Sequence, residues 1–327
     1  MTGLSDSFQR PINYLRISVT DRCNLRCIYC MPENGISLMS HYDILSYEEI
    51  YTVVKAAAEM GISKVRLTGG EPLVRAGLPD LVALISSIDT IEDISLTTNG
   101  ILLAQYAAEL KEAGLRRVNV SLDTLKPERF RQITRCGTLQ STLEGIEAAL
   151  QTGLTPVKIN MVVMAGVNDD ELTDFAAKTV KDGWNVRFIE LMPSSANEPV
   201  SGKLVSVSDM KKRIEAMGKL EPSSVEVGNG PAKYFRLPGA SGTIGFISPV
   251  TEHFCFQCNR LRLTADGKLR PCLLSEDEID LKAPLRGGAP MEELKKLIAR
   301  AIATKPKGHR LAEGNRPKGR PFSQVGG

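Results

Sequence analysis

This sequence predicts an α/β fold of repeated strand–helix units, on three observations. Six β-branched or apolar runs alternate with amphipathic helical patterns from about residue 14 to residue 220. Cap signals bracket several of the helical patterns. Polar punctuation follows the C-terminal end of nearly every run. Six such units suit either an open doubly wound sheet or an incomplete (β/α) barrel.

Strands are expected at 15–20, 64–68, 93–97, 117–122, 156–161 and 185–191. Ser46-Tyr47-Glu48-Glu49 reads as a capping box opening a helix with Ile50, Val53, Val54 and Ala57 on one face, and Gly61 stands where its C-terminal cap belongs. Leu103, Tyr106, Ala107 and Leu110 repeat the pattern before Gly114, and Leu143, Ile146 and Leu150 do so before Gly153. After about Pro222 the chain becomes turn-rich, with strand-like pieces at 234–237 and 243–247 and a last helix near 291–303. Two regions are therefore expected, 1–222 and 223–327.

Barrel enzymes place their chemistry at the C-terminal ends of strands. Here Thr20-Asp21-Arg22 follows the first strand, Thr68-Gly69-Gly70-Glu71-Pro72 the second and Thr97-Thr98-Asn99-Gly100 the third. Ser121-Leu122-Asp123 follows the fourth and Glu190-Leu191-Met192-Pro193 the sixth. Turns and helix caps explain any one of these, but not all five.

The first of these loops leads into Cys23, Cys27 and Cys30, spaced C-x3-C-x2-C. Three thiolates on one loop can hold three irons of a [4Fe–4S] cluster and leave the fourth iron open to a small molecule. One use of an open iron is to chelate S-adenosylmethionine (SAM) and cleave it reductively. A structural zinc site would need a fourth ligand and usually shows paired C-x2-C. A second set, Cys255, Cys258 and Cys272, is ambiguous by itself: with His253 it could form a Cys3His zinc site, or it could hold a second open cluster. Beside the first triplet the second cluster is preferred. The remaining thiol, Cys136, reads as incidental.

Seven cysteines in 327 residues, clustered three, one and three, do not make a disulfide framework and call for a reducing compartment. No signal peptide is expected, nor any apolar run near the roughly 20 residues of a membrane span, so the expectation is a cytoplasmic protein with no membrane partner. A net charge of +3 gives no case for nucleic acid. Lys305, Lys307, Arg310, Arg316, Lys318 and Arg320 crowd the C-terminal tail and read mostly as solvated charges. Arg260 and Arg262 alternate with Leu261 and Leu263, as in a half-buried strand, so both arginines share a face beside the second cysteine set. Arg16, Arg66 and Lys158 lie inside predicted strands, where a cation is costly unless it faces a lumen and meets an anion. Together the five favour a polyphosphate substrate.

The C-x3-C-x2-C loop with Tyr29, the Gly69-Gly70-Glu71-Pro72 segment, the Cys255-to-Arg262 string with Cys272 and the terminal Gly326-Gly327 resemble the GTP 3′,8-cyclases of molybdenum-cofactor biosynthesis, in the radical SAM superfamily. The resemblance implies an incomplete (β/α)6 TIM-type barrel whose mouth is closed by the C-terminal region. It implies two [4Fe–4S] clusters, on Cys23, Cys27 and Cys30 and on Cys255, Cys258 and Cys272, and SAM contacts at Tyr29, Gly70, Ser121 and Met192. GTP contacts are implied at Arg16, Arg66, Thr97, Lys158, Arg260, Leu261 and Arg262, with Lys158, Arg260 and Arg262 closest to catalysis. The implied reaction removes hydrogen from the ribose 3′ carbon of GTP, joins that carbon to C8 and yields 3′,8-cyclo-7,8-dihydro-GTP. A reductant protein such as flavodoxin or ferredoxin and the next molybdenum-cofactor enzyme are the implied partners, and a homodimer is compatible. Two rivals remain at this stage. One is a radical SAM enzyme acting on a peptide or another nucleotide; the other is a non-catalytic zinc protein.

Overall fold

The computed structural model describes residues 4–193, 204–224, 230–309, 311, 320 and 322–326. Six strands, β1 (Tyr14–Ser18), β2 (Lys64–Thr68), β3 (Asp93–Thr98), β4 (Arg117–Ser121), β5 (Lys158–Val163) and β6 (Asn185–Glu190), lie side by side in chain order, all parallel. Each falls within about two residues of its expected position. Their connections carry α1 (Tyr47–Glu59), α2 (Leu78–Ser86), α3 (Leu103–Glu112), α4 (Pro127–Thr134), α5 (Leu139–Gln151) and α6 (Leu172–Lys181), and α7 (Val207–Ile214) follows β6. The capping box of α1 is formed in both directions: Glu49 N–H donates to Ser46 Oγ at 3.1 Å, and Ser46 N–H to Glu49 Oε2 at 2.7 Å.

The C-terminal chain adds to both edges of this sheet. The antiparallel pair β7 (Glu221–Pro222) and β8 (Lys233–Arg236) leads to β9 (Thr243–Ile247), which pairs parallel with β6. On the far side β10 (Arg260–Leu263) pairs parallel with β1 and continues antiparallel into β11 (Lys268–Arg270) and β12 (Ile279–Asp280). The result is a twelve-stranded α/β sheet with eight parallel neighbours at its centre. It does not close: β12 and β7 are its two ends. Among the described residues, three helices follow β12: α8 (Lys282–Arg286), α9 (Met291–Ala303) and the short α10 (Phe322–Val325).

Strand alternation separates two environments. Leu15, Ile17, Val65, Leu67, Leu96, Val118, Val120, Ile159, Met161, Val186 and Phe188 are buried in the apolar core shared with the helices. The alternate positions, among them Tyr14, Arg16, Arg66, Thr97, Ser121, Asn160 and Arg187, turn to the concave side and line a cavity. At the end of β6 the fully buried Glu190 accepts hydrogen bonds from Val207 N–H (3.1 Å), Val250 N–H (3.0 Å), Thr251 N–H (3.0 Å) and the Thr251 hydroxyl. It ties β6 to the start of α7 and to the turn after β9. Glu190→Ala would strand three backbone donors at roughly 1–3 kcal/mol each before relaxation. A Tm lower by about 5 °C or more is expected in a thermal unfolding scan; an unchanged Tm would show that the tie is dispensable.

Candidate active site

The cysteine loop hangs from the rim by bonds to three other segments. Arg26 N–H and Ile28 N–H donate to the Thr134 and Ile133 carbonyls at the end of α4, each at 2.9 Å. Arg135 reaches back to the carbonyls of Arg26 (2.9 Å) and Met31 (3.1 Å). Asn99 Nδ2 donates to Asn24 at 2.7 Å, and the Tyr29 hydroxyl donates to Asp123 Oδ2 at 2.8 Å. Asp123 in turn accepts from Val162 N–H on β5 at 2.8 Å. Burial raises Asp123 to about 6, and its backbone and Tyr29 hydrogen bonds oppose the rise.

Gly69-Gly70-Glu71 closes against the same loop. Gly70 N–H donates to Thr20 O and Glu71 N–H to Arg22 O, both at 2.8 Å. A Cβ on Gly70 would stand 2.3 Å from Arg22 O, so no larger residue fits without moving the backbone that leads to Cys23. Glu71 is buried, accepts from Leu73 N–H (3.0 Å), Thr98 Oγ1 (2.8 Å) and Asn99 N–H (2.6 Å), and is raised to about 7 by burial.

Cys23, Cys27 and Cys30 line one cavity of about 300 Å³ together with Tyr29, Gly70, Thr97, Ser121, Met192, Arg16, Arg66, Arg260 and Arg262. Burial raises the Cys23 thiol to about 11; it also raises Cys27, with Cys30 adding to the effect. Among the described residues no three His, Cys, Asp or Glu side chains converge on one point as the ligands of a single ion do. A donor set of three neighbouring thiols facing a shared cavity suits a larger multinuclear centre with one corner left open.

The cations form an ordered row. Arg16 on β1 is in register with Arg262 on β10 and with Arg66 on β2. Burial lowers Arg16 well below its ordinary value, and Arg262 and Arg66 lower it further. Burial and then Arg260 bring Arg262 down to about 10. Arg66 donates to Ser95 Oγ at 3.1 Å and lies 5.5 Å from the Tyr14 ring. Like charges held together in a buried row are costly in isolation, and an anion removes that cost.

Two expected site residues stand off the cavity wall. Lys158 is 1% exposed and sits two residues before the cavity-lining Asn160 on the same strand face, one layer deeper. Burial, then Arg187, Arg117 and Arg66, push it down to about 6. The Leu261 side chain alternates to the opposite face and joins the apolar core, so it does not reach the cavity. The second triplet borders the cavity without lining it: Phe254, Arg260 and Leu273 do line it. Its thiols differ in charge environment. Burial raises Cys255, whereas at Cys258 burial is outweighed by Arg260 and Lys305 and the thiol falls to about 7. His253 packs against His309 with ring centroids 5.5 Å apart.

The tail corrects an expectation. Gly326 is buried, its carbonyl accepts from Arg262 Nη1 at 2.6 Å, and Phe322 lines the cavity. Upstream, Arg320 is seated by Asp266 (2.7 and 3.0 Å) and Glu278 (2.8 and 3.1 Å), and Lys305 is 3% exposed. These two cations are structural anchors rather than solvated charges, because partners far away in sequence meet them. Arg310, Arg316, Lys318 and Gly327 lie outside the described residues. Gly326 has φ +68°, and a Cβ there would stand 2.5 Å from Thr68 Cγ2. On the activity that the resemblance implies, Gly326→Val should therefore reduce cyclised product at least tenfold and leave SAM cleavage within about twofold, as read by chromatography of both products. Equal loss of the two would contradict a tail acting at the substrate.

Residues 17–178 match the radical SAM superfamily, and residues 184–311 match the family Molybdenum Cofactor Synthesis C. The GTP 3′,8-cyclase of Pelotomaculum thermopropionicum is 55% identical over 326 residues, covering 99% of this chain and 100% of that protein. This chain belongs to the GTP 3′,8-cyclase family. The GTP 3′,8-cyclase of Moorella thermoacetica is 54% identical over 324 residues, covering 99% and 100%. Among solved structures, Streptococcus suis SuiB bound to S-adenosylmethionine superposes with a TM-score of 0.62 at 11% identity, over 96% of this chain and 77% of that one, a likeness of fold alone.

Sequence reasoning did not assign site roles to Asp123, Glu71, Asn160 or Arg187. The signal for the first two was present in the strand-end punctuation. The other two were discoverable as positions of lumen-facing parity on β5 and β6.

Proposed function

We propose that this chain is a radical SAM GTP 3′,8-cyclase that converts GTP to 3′,8-cyclo-7,8-dihydro-GTP in molybdenum-cofactor biosynthesis. The observation that carries this reading is the in-register row Arg262–Arg16–Arg66 facing the same cavity as the three-cysteine loop. A peptide-modifying enzyme has no use for such a row, and a zinc protein has no use for the shared cavity.

When bound, the two [4Fe–4S] clusters and SAM supply one-electron reduction and an adenosyl radical able to take hydrogen from the ribose 3′ carbon. Cys23, Cys27 and Cys30 would hold the cluster that meets SAM, and Cys255, Cys258 and Cys272 the cluster that meets substrate. Tyr29, Gly70, Ser121 and Met192 would contact SAM, with Tyr29 oriented by Asp123. The chain's own task is positioning. Arg16, Arg66, Arg260 and Arg262, with Lys158 beneath, bind the triphosphate and fix the ribose. Thr97 contacts the nucleotide, its buried hydroxyl being without a protein partner. Leu261 contributes through its backbone between Arg260 and Arg262. A polyphosphate restores the charged form of Lys158 that burial disfavours. The buried tail excludes water from the reacting atoms.

We also propose residues 1–222 as the SAM-handling unit, an incomplete (β/α)6 TIM-type barrel, and 223–327 as the substrate-cluster unit covering its mouth. The reading further includes a reducing, cytoplasmic setting, a reductant such as flavodoxin or ferredoxin, and hand-over of product to the next cofactor enzyme. Among the described residues no helix is long and apolar enough to cross a membrane. The test is anaerobic turnover of the iron- and sulfide-reconstituted chain with dithionite and SAM. GTP-dependent 5′-deoxyadenosine and a new nucleotide isobaric with GTP are expected. SAM cleavage indifferent to GTP would reopen the substrate, and none from protein with both clusters loaded would reject the enzyme.

A further inference from the structure

We infer that Lys305 and Arg10 are positioning residues for the second three-cysteine site, two buried cations that fix its two ligand segments and complement its charge once loaded. The inference rests on the two-cluster reading above. Cys255, Cys258 and Cys272 come from two separate segments, a short loop before β10 and the chain just after β11. The antiparallel β10–β11 pairing, with Arg262 opposite Arg270, brings the two segments to one end of a hairpin. Lys305 clamps them there, beyond the ladder: its ammonium, 3% exposed just after α9, donates to Arg260 O at 2.7 Å and to Pro271 O at 2.6 Å. Arg260 is two residues beyond Cys258, and Pro271 immediately precedes Cys272. One ammonium thus spans both ligand segments.

Arg10 secures the remaining ligand and the residue pair that carries Lys305 to its place. Its guanidinium, 4% exposed, donates through Nη1 to Cys255 O at 2.7 Å and to Lys307 O at 3.0 Å, and through Nη2 to Pro306 O at 2.8 Å. Its Nε is paired with buried Asp6 at 2.5 Å, which holds the fork in one orientation. Every ligand cysteine is therefore within two residues of a carbonyl gripped by a buried cation. Neither cation belongs to the cysteine segments themselves; one comes from the chain before β1 and the other from the chain just after α9.

A buried ammonium bonded to two neutral carbonyls and to the Cys258 sulfur is costly unless an anion lies nearby. Three thiolates outweigh the charge of an iron–sulfur core and leave the loaded site anionic, more so when reduced. A fixed positive charge beside it favours the reduced form and raises the reduction potential. Arg10 is shielded by Asp6, so the charge effect belongs chiefly to Lys305 and the geometric effect to both.

The test uses the full chain, reconstituted anaerobically, with iron and acid-labile sulfide counted and each cluster titrated by EPR-monitored reduction. Wild type is expected to bind about eight irons, from two four-iron clusters. Lys305→Met should keep the first cluster and lose most of the second cluster's iron, and whatever second cluster remains should titrate at a lower potential. Lys305→Arg, which keeps charge and donors, should recover iron content. Arg10→Met should lose second-cluster iron with a smaller change in potential. Full iron with an unchanged potential in Lys305→Met would overturn the inference and leave the two-cluster reading standing. Wild type loading one cluster's iron would overturn that reading and the inference with it. Loss of both clusters in Lys305→Met and Lys305→Arg alike would mark a general folding residue and also overturn it.

Discussion

Replacing Cys27 with serine is expected to reduce 5′-deoxyadenosine formation to background. Cys27 lies in the middle of a loop whose neighbours are already committed. Its carbonyl accepts from Cys30 N–H at 2.9 Å and Met31 N–H at 3.0 Å, and the loop is fastened to α4, Asn99 and Asp123. The loop can keep its shape in the variant, so the loss isolates the ligand rather than the fold. Serine offers a hard hydroxyl that does not ionise near neutral pH, where a cluster needs a soft thiolate. The measurement is anaerobic SAM cleavage with iron counted in parallel. Undiminished 5′-deoxyadenosine would remove Cys27 from the cluster-binding set, whatever its place in the cavity.

Arg262→Ala is expected to weaken GTP binding by about 10- to 100-fold, the loss of a charge-assisted hydrogen bond worth roughly 1.5–3 kcal/mol. It should also uncouple the two half-reactions. The guanidinium donates to Gly326 O at 2.6 Å and shares a register row with Arg16, so its removal loosens the tail and thins the charge row together. SAM cleavage depends on the cysteine loop rather than on Arg262 and should continue, with the ratio of 5′-deoxyadenosine to cyclised nucleotide rising. Removing one cation also relieves its neighbours. Arg16, in register with Arg262, then meets less like-charge repulsion, so the affinity loss falls short of the full value of the contact. Equilibrium binding with a non-reacting GTP analogue reads the first effect and product ratios the second. Unchanged affinity would take Arg262 out of the nucleotide site.

Much of this was legible because the governing signals are local. The strands announce themselves by β-branched runs, and the parity of Arg16, Arg66 and Asn160 along them decides which side chains enter the cavity. Ser46 and Glu49 announce α1 by a capping box that needs only four residues. Two short helices carried weaker signals. α2 opens on an αL Gly77 with a proline in its first turn and no side-chain cap, and α4 buries only Phe130, Ile133 and Thr134 in an otherwise polar segment.

What the sequence concealed was long-range. That β9 and β10 would extend the sheet at opposite edges depends on pairings between residues more than fifty positions apart in one case and about 246 in the other. Lys305 and Arg320 look like tail charges until Arg260, Pro271, Asp266 and Glu278 are brought to them. The same is true of the Gly326 carbonyl, whose partner Arg262 lies 64 residues away. Composition near a terminus predicts solvation on average, and it fails where the fold brings distant partners to Lys305, Arg320 and Gly326.

This cavity is expected to bring the ribose 3′ carbon of GTP to the radical generated beside the cysteine loop. Turnover with GTP carrying deuterium at the 3′ carbon tests it most directly. Mass spectrometry of the 5′-deoxyadenosine formed should show one deuterium transferred from substrate, with the cyclised nucleotide depleted of it. Unlabelled 5′-deoxyadenosine accompanying cyclised product would mean that hydrogen is taken from another position, and the placement of GTP by the arginine row would have to be abandoned.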